Sequence, residues 1–230
     1  METTQMIPRR QFMSGLASVP VVLTAGRGLA AGPMQVVVTT GMIADAVRQV
    51  AGAEAEVRAL MGPGVDPHAY RQTRTDIVAM GRADTVLWHG LYLEAQMEAF
   101  FEEVQSRVPV TAVAETLPRD LLLAHEDYEG RFDPHVWMVP SLWKEVVLSV
   151  RDALTAQRPE AAEIFDANTQ SHLAEIDRIG TYADAVLASV PQEQRVLVTA
   201  HDAFNYFGAA YDYEVLGIQG ISTESEAACS

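Results

Sequence analysis

From Pro159 to Val190 the chain carries one unbroken helical pattern: Leu173, Ile176, Ile179, Ala183, Val186, Leu187 and Val190 recur at three- and four-residue steps with acidic and polar residues between them. A helix of roughly 30 residues extends about 45 Å, enough to run the length of a domain. Pro159 suits its first turn and Pro191 its end. Ahead of it, short buried-strand signals at Val36–Val38, Val57–Met61, Thr85–Trp88 and Val108–Val113 alternate with helical ones at Met42–Val50 and Glu94–Val104. Behind it lie a β-like run from Arg195 to Thr199, a helix from Ala203 to Tyr211 and a strand around Val215–Ile218. Strand and helix in alternation predict an α/β fold with parallel sheets flanked by helices. At 230 residues and 49% hydrophobic, the chain can bury a substantial core as one or two domains.

Three histidines sit far apart in short motifs able to aim an imidazole: Asp66-Pro67-His68, Asp133-Pro134-His135 and Ala200-His201-Asp202. Their intervals of 67 and 66 residues exclude a local finger or an H-E-x-x-H helix, so any shared ion lies where distant segments meet. Proline disfavours helix in the residue before it, so each Asp-Pro-His begins in an extended or turn geometry. Asp66, Asp133 and Asp202 are each close enough in sequence to accept the other ring N–H of their histidine. The alternative is that these are ordinary loop or capping histidines. In an open parallel sheet, ligands collect beyond the carboxyl ends of strands, and the Gly62–His68 loop directly follows the second one. Of the other histidines, His172 reads as a solvated helix residue, His89 as a hydrogen-bonding loop residue and His125 as part of a mobile acidic surface loop. Trp88, Trp137 and Trp143 read as packing residues.

Charge narrows the partners. With 16 Lys+Arg against 31 Asp+Glu, a net charge of −15 argues against nucleic acid and anionic membrane and is compatible with attracting cations. Cys229 is the only cysteine, so no internal disulfide forms. Residues 1–30 read as a twin-arginine-like export signal: Arg9-Arg10-Gln11-Phe12-Met13, a short apolar stretch to Ala25, then Arg27 and a small-residue run with cleavage expected after Ala30. That stretch is too short to span a bilayer as a helix, and no cysteine follows the cleavage site to carry a lipid. A free exported protein with no stable membrane insertion is expected.

The mature chain resembles the solute-binding proteins of zinc and manganese ABC transporters, the TroA-like group. The resemblance rests on Met61-Gly-Pro-Gly-Val-Asp-Pro-His-Ala-Tyr70, His89-Gly-Leu-Tyr-Leu-Glu94, Phe132-Asp-Pro-His-Val-Trp137 with Leu142-Trp143, Leu197-Val-Thr-Ala-His-Asp-Ala-Phe204 with Tyr206-Phe207, and Gly217-Ile-Gln-Gly-Ile-Ser-Thr223. It implies two α/β lobes joined by one long helix with the metal between them: an N-terminal lobe over 31–140, a helical connector over 141–190 and a partial C-terminal lobe over 191–230. It implies His68 and His135 as ligands from the first lobe and its edge, and His201 as the ligand from the second. It also implies a periplasmic location, a membrane permease as partner, a monomer, and no enzymatic activity. Members of the group continue past the Ile221-Ser222-Thr223 segment and supply a further carboxylate ligand from a late loop. A chain ending at Ser230 is therefore expected to be a truncated product with an incomplete second lobe.

Three neutral imidazoles suit zinc and other divalent first-row ions, and zinc outranks manganese in intrinsic affinity. The short Ala124–Gly130 loop lacks the long His-rich run of many zinc-specific relatives, which leans towards manganese or mixed specificity. The rival function is an exported zinc metallohydrolase, since three histidines and an open position also describe catalytic zinc. No H-E-x-x-H or comparable acid–base motif accompanies these histidines.

Overall fold

A computed structural model of the chain describes Met1 and residues 32–125, 128–221 and 223. The expected export signal (Met1 apart), Glu126 and Asp127 of the acidic loop, Ser222 and Cys229 lie outside the described residues. From Gly32 onward the described residues form one compact unit.

That unit is an α/β fold. The first sheet has β1 (Met34–Val38), β2 (Ala55–Ala59), β3 (Thr85–Trp88) and β4 (Val110–Ala112) in the order β2-β1-β3-β4. All three pairings are parallel, with Val36 opposite Val57 and Thr85, and Leu87 opposite Thr111. Side chains alternate across the strands, so the sheet needs apolar cover on both faces. Met34, Val36, Val38 and Leu87 face a core built with α1 (Gly41–Ala51), α4 (Pro140–Gln157) and α5 (Ala162–Ala188). Val37 and Val86 face a second core with Met80 of α2 (Arg74–Met80) and Phe101 of α3 (Glu98–Val104).

The sequence reading named no helix at 74–80. Seven residues are too few for a periodic signal, and what starts α2 is a local device. The Thr73 hydroxyl accepts from the Asp76 N–H while the Asp76 carboxylate accepts from the Thr73 N–H at 2.8 Å. Burial pushes the Asp76 carboxyl up, but hydrogen bonds from Thr73 and Tyr70 outweigh it and hold the group below its ordinary range.

The long helical pattern resolves into a 3₁₀ turn at Pro159–Ala161 and the 27-residue α5, about 40 Å long. Only Phe165, Thr169 and Ile176 of α5 are buried. The helix is thus anchored mainly through its first half, against α1 and α4. Beyond it, β5 (Val196–His201) and β6 (Glu214–Gln219) pair in parallel as a second sheet, with α6 (Asn205–Tyr211) between them in sequence. On this sheet Val198 and Ile218 are 63% and 76% exposed. A side chain at Gly217 of β6 would displace the Asp202 carboxylate and crowd the Gln219 carbonyl oxygen.

Among the described residues no helix is long and apolar enough to cross a membrane.

Candidate metal centre

Strand ends and two turns of one design build the site. His68 lies in the loop after β2, and His201 is the last residue of β5. His135 follows the narrow crossing at Ala124 and Phe132, where Asp133 N–H donates to the Leu123 carbonyl at 2.9 Å. In both Asp-Pro-His motifs the aspartate Oδ1 accepts the histidine backbone N–H two residues on, at 2.9 Å in each case. This Asx turn is the conformation that proline at the middle position prepares.

The three histidines, scattered in sequence, meet in space. One ring nitrogen from each of His68, His135 and His201 lies within 4.8 Å of the others. The Nε2 atoms of His68 and His135 are 3.4 Å apart. His68 and His135 are buried, and His201 is half-buried. His135 Nδ1 stands 2.6 Å from Asp133 Oδ1. The carboxylate accepts only, so Nδ1 carries a proton and Nε2 is the nitrogen left to serve as a ligand, 3.4 Å from that of His68.

The anticipated partnership of each histidine with its neighbouring aspartate is realised only at Asp133. Asp66 spends Oδ1 on the His68 backbone and its other oxygen on the Thr223 hydroxyl at 2.6 Å. Asp202 has no hydrogen bond to the His201 ring; its backbone N–H donates to Gln219 and its carboxylate lies against Gly217.

Of the remaining histidines, His125 and His172 depart from expectation, while His89 is the hydrogen-bonding residue expected. His125 is buried, with its ring 4.7 Å from that of Tyr128 and 6.4 Å from that of Tyr92. A composition reading does not register that aromatic packing around the His125 ring. His172 is likewise shielded, with neither ring nitrogen hydrogen-bonded. His89 is fully buried and donates Nε2–H to the Pro134 carbonyl at 2.7 Å. Trp137 lies edge-on between two imidazoles, 5.3 Å from His89 and 5.1 Å from His135. Sequence reasoning missed Glu94, which is fully buried and accepts from Thr39 Oγ1 at 2.6 Å and from the backbone N–H groups of His89 and Gly90. Its signal was present in the His89–Glu94 motif, although nothing local indicates burial.

Electrostatics favour the neutral form of the His68, His201 and His89 imidazoles. Burial first, and the neighbouring His135 second, lower the His68 pKa from 6.5 to about 4. The same two causes, in that order, lower His201. Burial also lowers His89 to about 3. Neutral imidazoles with converging lone pairs are what a divalent ion requires.

Glu94 moves the other way. Burial, opposed by its hydrogen bonds to Thr39, His89 and Gly90, raises it from 4.5 to about 7. Its contribution to stability is complete below pH 4.5 and is lost as pH rises through 7, a difference of about 3 kcal/mol. The contributions of His68 and His89 are complete above pH 6.5 and are lost as pH falls towards about 4 and about 3. Between pH 5 and 6.5 the two histidines outweigh Glu94, and above that the opposing contributions nearly cancel, so the stability of the metal-free protein rises to about pH 6.5 and is then level. Thermal melts between pH 5 and 8 check this, with Glu94→Gln expected to steepen the rise from pH 5 to 7. A wild-type melting temperature still rising from pH 7 to 8 would contradict it.

The chain has counterparts among known proteins. The model of the family described as zinc-uptake complex component A periplasmic, ZnuA, matches residues 36–230. The chain is 44% identical over 192 residues to the zinc-binding protein TroA of Treponema pallidum, covering 84% of this chain and 62% of that protein. It is 39% identical over 194 residues to the manganese-binding lipoprotein MntA of Bacillus subtilis, covering 84% and 63%. Among solved structures, the periplasmic zinc binding protein TroA from Treponema pallidum superposes with a TM-score of 0.82 at 44% identity, over 85% of this chain and 70% of that one. The chain thus spans less than two thirds of the length of these two curated relatives. A family model matched over nearly the whole described unit, and relatives at this identity, place the chain in the zinc-uptake complex component A periplasmic family.

Proposed function

We propose that this chain captures a divalent first-row transition metal ion through His68, His135 and His201 and delivers it to the membrane permease of an ABC transporter. The observation that carries the reading is the pair of buried Nε2 atoms 3.4 Å apart. Two nitrogens each about 2.0–2.1 Å from a tetrahedral zinc ion stand about 3.3–3.4 Å apart, so this edge already has the spacing zinc needs. His201 completes a three-nitrogen face by closing from within 4.8 Å to the same spacing, a small adjustment.

The ion is cargo. Relatives named for zinc binding and for manganese binding support a divalent ion of this kind. Neutral nitrogen donors rank zinc above manganese by intrinsic affinity, and we assign zinc as the tighter ligand of these three histidines. The protein acts as a monomer outside the cytoplasmic membrane, and binding and release involve no covalent chemistry. The metallohydrolase alternative finds no support: the relatives are named as metal-binding proteins, and the buried carboxylate of Glu94 is committed to Thr39, His89 and Gly90. A hydrolase needs a base free to take a proton from water.

The test is a competitive titration of the 230-residue chain with zinc and manganese, alongside His201→Ala. Tight one-to-one zinc binding, weaker manganese binding and a loss in the variant are expected. Binding indifferent to His201 would defeat the three-histidine site, and turnover of ester or phosphate substrates abolished by His68→Ala would defeat the carrier reading.

A further inference from the structure

The backbone just ahead of His135 is gripped from two directions. The Pro134 carbonyl accepts His89 Nε2–H at 2.7 Å, and His89 directly follows β3 of the first sheet. The Asp133 carbonyl accepts the Tyr206 hydroxyl at 2.9 Å, and Tyr206 belongs to α6, beyond the long helix. The Tyr206 oxygen in turn accepts the Leu123 N–H at 3.0 Å, which ties the same hydroxyl to the chain that leads into the turn. Both jaws are buried, His89 completely and Tyr206 to 3% exposure. His89 is itself held, because Glu94 accepts its backbone N–H.

We propose that His89 and Tyr206 are positioning residues that clamp the two carbonyls preceding His135 and thereby hold the short His68–His135 nitrogen edge that favours zinc over manganese. The inference rests on the metal-carrier reading above. Consecutive carbonyls held by donors from opposite sides leave the peptide planes on either side of Pro134 little freedom to rotate, and the His135 ring follows those planes. Trp137, packed between the His89 and His135 rings, fills the space into which either could swing. A fixed edge near 3.4 Å suits the short bonds of tetrahedral zinc. Manganese takes harder donors in higher coordination and gains less from that constraint. Loosening the clamp therefore costs zinc more than manganese, whereas a merely structural role would weaken both equally.

The experiment measures zinc and manganese affinities by chelator competition, with melting temperatures, for the full chain and for His89→Met, His89→Gln, Tyr206→Phe and His135→Ala. His89→Met and Tyr206→Phe are expected to lower zinc affinity about tenfold or more and manganese affinity by less, so that the zinc-to-manganese ratio falls. His89→Gln keeps a donor at the reach of Nε2 and restores most of what His89→Met loses. An unchanged ratio in both donor-deleting variants, or a Gln variant as weak as the Met variant, overturns the clamp. If His89→Met fails to fold, Tyr206→Phe, which loses one hydroxyl, decides alone. Wild-type zinc binding abolished by His135→Ala with no response at the jaws defeats the clamp and leaves the carrier reading standing. Zinc binding untouched by His135→Ala defeats both.

Discussion

His135→Ala lowers zinc affinity by at least about a hundredfold, more than the 10–100-fold typical when only a ligand's hydrogen-bonding partner is lost. The imidazole removed is the one whose tautomer is fixed by the buried Asp133 carboxylate and whose Nε2 forms the short edge with His68. Truncation also leaves Asp133 Oδ1 with only the backbone N–H at 2.9 Å to satisfy it, a costly state for a fully buried carboxylate. The variant is therefore expected to melt earlier than wild type even without metal. Isothermal titration with zinc, run beside melts of the metal-free protein, reads both effects. Affinity within about tenfold of wild type would show that zinc binds elsewhere.

The largest loss of stability is expected at Phe165→Ala. Phe165 is fully buried in the main core near the start of α5, and α5 buries only two other residues along its length. Truncating a buried phenylalanine costs about 3–5 kcal/mol, through lost transfer energy and the cavity left behind. At this chain length that corresponds to a fall of about 6–20 °C in melting temperature. Ile179→Ala, at a position 61% exposed on the same helix, serves as control and should change little. A Phe165→Ala melt within a degree or two of wild type would show that α5 is anchored by something other than this contact.

The parts of the fold legible in the sequence were those with a strong local period. β1, β3 and the long α5 announce themselves by runs such as Val36–Val38 and by the apolar steps from Leu173 to Val190. The α2 helix does not, because seven residues started by a Thr73–Asp76 capping box carry too little periodicity to stand out from a loop. The same division runs through the site. His68 and His135 were visible because proline after aspartate prepares a turn, a one-dimensional signal. That Asp133 reaches its histidine ring while Asp66 instead takes the Thr223 hydroxyl was not visible, since the two tripeptides are identical and their difference lies in what packs around them. Glu94 and Tyr206 belong to the same class: Thr39 and Asp133, which bond to them, lie 55 and 73 positions away in the chain, and no local pattern encodes those contacts.

The hydrogen bond from Thr223 to Asp66 joins residues 157 positions apart. It brings the loop beyond β6 against the turn that presents the first histidine, so the centre is an arrangement of very high sequence separation. Such arrangements form late, because the entropy of closing long loops must be overcome before any contact rewards it. During synthesis at about 5–20 residues per second, His68 leaves the ribosome many seconds before His201 exists. Throughout that interval the nascent chain has no three-nitrogen face. Binding by all three histidines is thus a property of the finished molecule alone, and a metal ion met by the growing chain finds at most the His68–His135 pair.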